Sequence, residues 1–126
     1  MNGDAPRGFT LIELMVVMAV LALLAMLVSP RYFRSVEQAR ETTLRTNLQE
    51  TRRAIDQYFA DKGQYPLSLQ DLVDERYLRS LPVDPITDRA DSWNVIAPGN
   101  GQRGNVYDLR SGATGQGSDG TNYATW

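Results

Sequence analysis

The sequence of 126 residues contains no cysteine and no histidine. Without cysteine there is no disulfide framework, no thiol nucleophile and no thiolate metal site. Without histidine, the commonest general base and the commonest zinc ligand are both missing. Twelve of the 13 basic residues are arginine, so Lys62 is the only candidate for an amine catalyst. Any catalysis would rest on Asp, Glu, Ser, Thr, Tyr, Lys or Arg, and no phosphate loop, nucleophile elbow or metal-ligand spacing appears. The acid pairs Asp84/Asp88 and Asp74/Glu75 read as solvated turn and helix-cap acids, so no enzyme is expected. Thirteen basic against 15 acidic residues give a formal charge of −2, which argues against a general nucleic-acid binder. The length suits one small domain.

The mean hydropathy of −0.37 is that of an ordinary soluble protein, but it averages two unlike parts. Phe9 to Val28 is a run of 20 residues with a single charge, Glu13. As a helix it would be about 30 Å long, the thickness of a bilayer core. It is apolar on every side, so it is not an amphipathic surface helix. A buried core helix fits poorly, because the remaining chain cannot wrap such a rod. A secretory signal fits poorly too, since the run is long, its basic region holds only Arg7 beside Asp4, and no A-x-A site precedes Ser29-Pro30. A plain membrane anchor explains the length but not Glu13, since a carboxylate within an apolar span is costly and needs a partner.

The residues around that acid, Gly8-Phe9-Thr10-Leu11-Ile12-Glu13-Leu14-Met15-Val16-Val17, resemble the processing site of type IV pilins and type II secretion pseudopilins. The resemblance implies a leader over residues 1–8, cleavage between Gly8 and Phe9 by the prepilin peptidase, and methylation of the new Phe9 amine. Arg7 matches the basic residue before the family's glycine. Glu13 would neutralise a subunit's terminal amine during assembly, a pairing that in low dielectric is favourable only when both charges are matched. The positive-inside rule does not orient the span, because Arg31 and Arg34 follow it while the leader is nearly neutral. The resemblance places the anchor in the bacterial inner membrane as a single pass with the head in the periplasm.

Pro30 predicts a helix break, as a kink or local melting over residues 26–30. Helical periodicity then resumes over residues 31–62. Phe33, Val36, Leu44, Leu48, Ile55 and Phe59 mark one apolar face, with Arg40 and Thr51 in its gaps. Arg34, Glu37, Glu41, Arg45, Glu50, Arg52, Arg53 and Asp56 fall on the other faces, as a solvated stripe or as contacts to neighbouring subunits. Within that stripe Glu37 and Glu41 have Arg34 and Arg45 at pairing offsets. Residues 31–60 carry net +2 and residues 61–126 net −3, which favours contacts between copies. Gly63 is placed to end the helix.

Residues 63–126 read as a loop, a short helix over about 69–75 with Ser68 and Asp71 in a capping arrangement, and a small antiparallel sheet. Ser92–Ile96 and Asn105–Leu109 are the predicted strands, joined by a Gly- and Asn-rich connection, with a third strand near the C-terminal end. Trp93, Tyr107 and Trp126 are expected as core or sheet-face aromatics. Tyr65-Pro66, Leu72-Val73, Tyr77-Leu78 and Leu81-Pro82-Val83-Asp84-Pro85 resemble the middle of the type II secretion major pseudopilin. Ile86-Thr87-Asp88 departs from the Trp-Gly-Asn that usually follows.

The expected fold is α+β and pilin-like: a leader (1–8), a transmembrane and assembly helix (9–30), an amphipathic helix (31–62) and a small head (63–126). The resemblance further implies a calcium site in the Gly-rich stretch Ser111 to Trp126. Asp119, Asn122 and Asp108 are its candidate ligands, and Thr114 stands where an acid is expected. A strong calcium site takes six to eight oxygens and more than one carboxylate. The expected role is a structural subunit of a helical filament, the pseudopilus of a type II secretion system. The alternative is a type IV pilus, an extracellular fibre for adhesion, motility or DNA uptake, and the lack of a cysteine loop tilts toward the pseudopilus. The implied partners are further copies of the chain, the prepilin peptidase, minor pilins or pseudopilins, an inner-membrane assembly platform, and lipid before assembly. A minor pilin reading phosphate through Arg103 and Arg110 is opposed by the acidic head, so no nucleic-acid partner is expected.

Overall fold

A computed structural model describes residues 8–126, so the expected leader lies, apart from Gly8, outside the described residues. The chain divides into two compact units, Met1–Glu37 and Gln38–Trp126. One element runs through both, the 52-residue helix α1, Leu11–Lys62. It stops where the sequence stops it. Gly63 takes φ +71°, and its N–H donates to the Phe59 carbonyl at 2.8 Å, the single-bond left-handed cap that glycine adopts without steric cost.

The break expected at Pro30 is not there as a loss of helix: Pro30 and its neighbours on both sides lie inside α1. Proline removes one backbone donor and crowds the preceding turn, but the hydrogen bonds above and below it persist, and a long apolar helix tolerates the local defect.

In the first unit every described residue is exposed. Phe9, Leu11, Ile12, Leu21, Leu24, Leu27 and Phe33 all present more than half of their surface. Phe33 and Val36, expected at the start of the apolar face, are among the exposed residues.

The second unit has its own core. Leu44, Leu48, Thr51, Ala54, Ile55 and Tyr58 of α1 are buried with Tyr65, Leu72, Trp93, Val106, Leu109, Ala113, Tyr123 and Trp126. Each fully buried Leu or Ile contributes about 1.5–3 kcal/mol relative to exposure. Thr51 fits that face because its hydroxyl donates to the Asn47 carbonyl at 2.7 Å. Phe59 stacks on Tyr65 with ring centroids 4.4 Å apart.

Helix α2, Leu69–Asp74, plugs the core with Leu72. Its start differs from the expected cap. The Ser68 side chain makes no cap bond, and the Asp71 carboxylate instead accepts from the Leu67 N–H at 2.9 Å, one residue further back. The sheet among the described residues has two antiparallel strands, β1 (Asn94–Ile96) and β2 (Asp108–Arg110), with Val95 opposite Leu109. Both are shorter than predicted and β2 begins later. No third strand forms among the described residues; the C-terminal stretch holds an isolated bridge, Gln116 to Asn122, and a 3-10 turn at Tyr123–Thr125. Its glycines explain this, since they favour turns over ladders. Gly117 has room for no side chain: a Cβ would lie 2.3 Å from the Trp126 ring.

The Leu-Pro-x-Asp-Pro turn is anchored by one buried acid. Asp84 is fully buried, not solvated as its turn position suggested. Its carboxylate accepts from the Ile86 N–H at 2.8 Å and from the Ser111 hydroxyl. Its main chain bridges to Arg89, and Trp93 donates to the Pro82 carbonyl at 2.8 Å. A buried carboxylate is tolerable only with its lone pairs engaged in this way.

Candidate assembly site

The start of α1 carries the residues expected to matter for processing and assembly. Gly8 lies just outside the helix, and among the described residues nothing beyond its chain neighbours comes within 4 Å of where its Cβ would be. Phe9 is 86% exposed. Phe9, Ile12, Glu13, Val16 and Val17 line one open, mostly apolar depression.

Glu13 has a local partner that the sequence reading missed. The Thr10 hydroxyl accepts from the Glu13 N–H at 3.2 Å, and the Glu13 carboxylate accepts from the Thr10 N–H at 3.2 Å. This is a reciprocal capping box, and it satisfies two of the donors that a helix start leaves unpaired. The signal was in the sequence as Thr10-x-x-Glu13 ahead of an apolar run. An acid at a helix N-terminus also complements the helix dipole. Glu13 is therefore held by its own helix start and remains exposed.

The calcium candidates are placed differently. Asp108 accepts from the Arg52 guanidinium at 2.8 Å and from the Leu109 N–H at 2.7 Å. Asp119 accepts from Arg45 at 2.8 Å, and its other oxygen accepts from the Thr121 N–H at 2.9 Å and hydroxyl at 2.6 Å. These Thr121 bonds first, and then the Arg45 charge, hold the Asp119 carboxyl below the usual range. Asn122 contributes its main chain, to the Gln116 bridge and to Thr125. No group of three acids suited to a metal occurs among the described residues. Each carboxylate already faces an arginine, so these residues do not fit a calcium ion, which takes six to eight oxygens and several negative charges.

The stripe of charge on α1 also departs from expectation. Glu41 is buried and Arg52 is half-buried, and neither Glu37 nor Glu41 pairs with Arg34 or Arg45. Glu41, Arg45 and Arg52 find their partners in residues 108–126, far along the chain.

Among the described residues, α1 is the one helix long and apolar enough to cross a membrane. Residues 5–29 match the model of the prokaryotic N-terminal methylation motif. The chain is similar to the type II secretion system core protein G of Pseudomonas aeruginosa, with 32% identity covering 89% of this chain and 88% of that protein. It is similar to the core protein G of Escherichia coli, with 31% identity covering 95% of this chain and 92% of that protein. The type IV major pilin protein PilA of Myxococcus xanthus is 36% identical over 59 residues, covering 47% of this chain and 27% of the pilin. No solved structure matches.

Proposed function

The chain belongs to the type II secretion core protein G family, and we propose that it is a building subunit of a type II pseudopilus, cut between Gly8 and Phe9 and methylated on the Phe9 amine. It is a pilus-like structural subunit anchored by one apolar helix. The observation that carries the finer reading is the pairing of two facts. Similarity to core protein G spans nearly the whole chain. The described part of the first unit presents an apolar helix with no burial of its own, with Glu13 in its first turn.

The sequence of events follows from the chemistry. Before assembly, lipid covers the apolar helix. The Thr10–Glu13 capping box lowers the cost of holding an acid at the membrane edge. Cleavage after Gly8 would create a positive amine on Phe9. Extraction into the filament replaces lipid by neighbouring apolar helices, and Glu13 of one copy pairs with the amine of another. The carboxylate exchanges a neutral N–H donor for a charged one, which is the stronger bond in a desolvated place. Contacts of one surface with a different surface on the next copy do not close, so they build a helix rather than a ring. The head then faces the periplasm, and the minor pseudopilins, the peptidase and the membrane platform are the remaining partners. No catalytic group is needed for this role.

The part-chain match to a type IV pilin favours a second reading, a surface fibre, because the assembly helix serves both designs. The two differ in where the filament ends.

Intact mass and N-terminal sequencing of the chain from a membrane or filament fraction test the proposal. The expected product starts at Phe9 and is one methyl group heavier than its residues. A chain starting near Arg31 would mean an ordinary signal peptide, and one starting at Met1 an unprocessed anchor. Either result overturns the filament reading.

A further inference from the structure

Residues 111–126 contain only a bridge and a 3-10 turn, yet Ser111, Ala113, Tyr123 and Trp126 are buried. A Gly-rich stretch with so little ladder needs other bonds to offset its conformational entropy. Three side chains on α1 supply them. Glu41, Arg45 and Arg52 stand at offsets of four and seven, which places them on one helical face.

Glu41 is 6% exposed. Its carboxylate accepts from the Ser118 N–H at 2.7 Å, the Ser118 hydroxyl at 2.6 Å and the Tyr123 hydroxyl at 3.4 Å. Arg45 donates to Asp119 at 2.8 Å, and its guanidinium carbon lies 3.8 Å from the centre of the Trp126 ring. Arg52 donates to Asp108 at 2.8 Å, to the Leu109 carbonyl at 2.9 Å and to the Trp126 main-chain oxygen at 2.8 Å. The loop answers with bonds of its own: Trp126 Nε1 donates to the Thr121 hydroxyl at 2.6 Å, and Gly117 leaves space for the Trp126 ring.

We propose that Glu41, Arg45 and Arg52 form a clasp that fixes residues 111–126 on the head, doing with helix side chains what a metal ion does in a calcium-ordered loop. The chemistry of the set is consistent within itself. An acid meets a neutral N–H and two hydroxyls. Each of two arginines meets one aspartate, and the spare guanidinium donors reach a ring face and two main-chain oxygens. A divalent cation at the same carboxylates would first have to displace Arg45 from Asp119 and Arg52 from Asp108. It would then sit beside those positive charges, where no group of three acids suited to a metal occurs among the described residues. Order in this loop is thus a property of the chain alone. The clasp stands on contacts within the second unit and does not rest on the filament reading.

The test uses the full chain in detergent. Thermal unfolding of the head is followed by tryptophan fluorescence in excess EDTA and in excess CaCl2. An ion bound at a hundredfold excess over its Kd would raise Tm by roughly 10 °C or more for a domain of this size. The expected result is the same Tm in both solutions, and a rise of that size with calcium overturns the proposal. Separately, proteolysis by subtilisin, read by mass, compares the wild type with Glu41→Gln and Arg45→Met. Both variants should be cut within residues 111–126 at least about tenfold faster, since each loses a charge-assisted bond holding that segment. Arg45→Met sits at the exposed edge and keeps the head folded, so the proposal stays testable if Glu41→Gln unfolds. An unchanged cutting rate in Arg45→Met overturns the proposal.

Discussion

The two units use similar residues in opposite ways. In Met1–Glu37 the described large apolar side chains are all on the surface, and among the described residues the lone acid of the apolar span bonds to its own helix start. In Gln38–Trp126 the apolar face of α1 is buried, and charged residues beside it reach into the loop that covers it. The contrast teaches where each stretch of helix finds its partner. The second stretch finds it in cis, through residues 63–126. The first has no such covering among the described residues, and under the proposed role lipid or other copies of the chain would match its apolar surface. A folded head and an assembling helix are thereby separated along a single element.

The largest effect that can break this comparison is a cavity in the core. Leu48 is 1% exposed. Leu48→Ala should lower head stability by about 2–5 kcal/mol, read as a drop in the head's Tm. Leu21, which is 55% exposed, is the matched control in the first unit. Leu21→Ala should leave that Tm unchanged and act only on membrane insertion or assembly. Equal losses from the two variants would mean that the head depends on the first unit for its folding.

Glu13→Val sharpens the comparison from the other side. It removes the capping-box acid and the proposed partner of the Phe9 amine together, at a residue outside the head core. The variant should still be cut after Gly8 and its head should melt like the wild type, while filament yield falls strongly. Thr10→Val separates the two roles. It removes one bond of the capping box, worth about 1 kcal/mol in helix stability, but leaves the carboxylate. Normal filament yield from Glu13→Val, measured by shearing and immunoblot, would sink the assembly role.

These contrasts were only partly legible in the sequence. The apolar span, the Gly63 stop, the short helix near residue 70 and a small antiparallel pair follow from local patterns, because each depends on residues within a few positions of one another. The Thr10–Glu13 box is equally local, a Thr-x-x-Glu spacing ahead of an apolar run. Glu41, Arg45 and Arg52 could not be read this way. Helical period places them beside the apolar face, but their partners are 77, 74 and 56 residues further on. Asp84 was hidden for the same reason, since its burial depends on Ser111, 27 residues away. At Pro30 the local rule was sound about the missing donor, but the rest of a long helix outweighed it.

The smallest effect concerns a single phenol at the margin of the head. The Tyr77 hydroxyl donates to Asp61 at 2.7 Å, and its ring meets Tyr58 edge-on at 5.3 Å. Donation to Asp61 first, then desolvation and the charges of Asp61 and Glu75, push the Tyr77 pKa up to about 12. A phenol in the unfolded chain titrates near 10. The folded state therefore keeps its proton where the unfolded state loses it. The bond's contribution to stability is complete below pH 10 or so and is lost as the pH rises toward about 12. Tyr77→Phe lacks this contribution throughout, so the Tm gap between wild type and variant should be constant at neutral pH and narrow across that alkaline window. Tyr32 in the first unit touches only Phe33 among aromatic partners, and Tyr32→Phe should open no gap in the head's Tm at any pH. A Tyr77→Phe gap that persists unchanged through the window would mean that the lost ring contacts, rather than the bond to Asp61, account for it. A gap from Tyr32→Phe would show that the first unit contributes to the stability of the second.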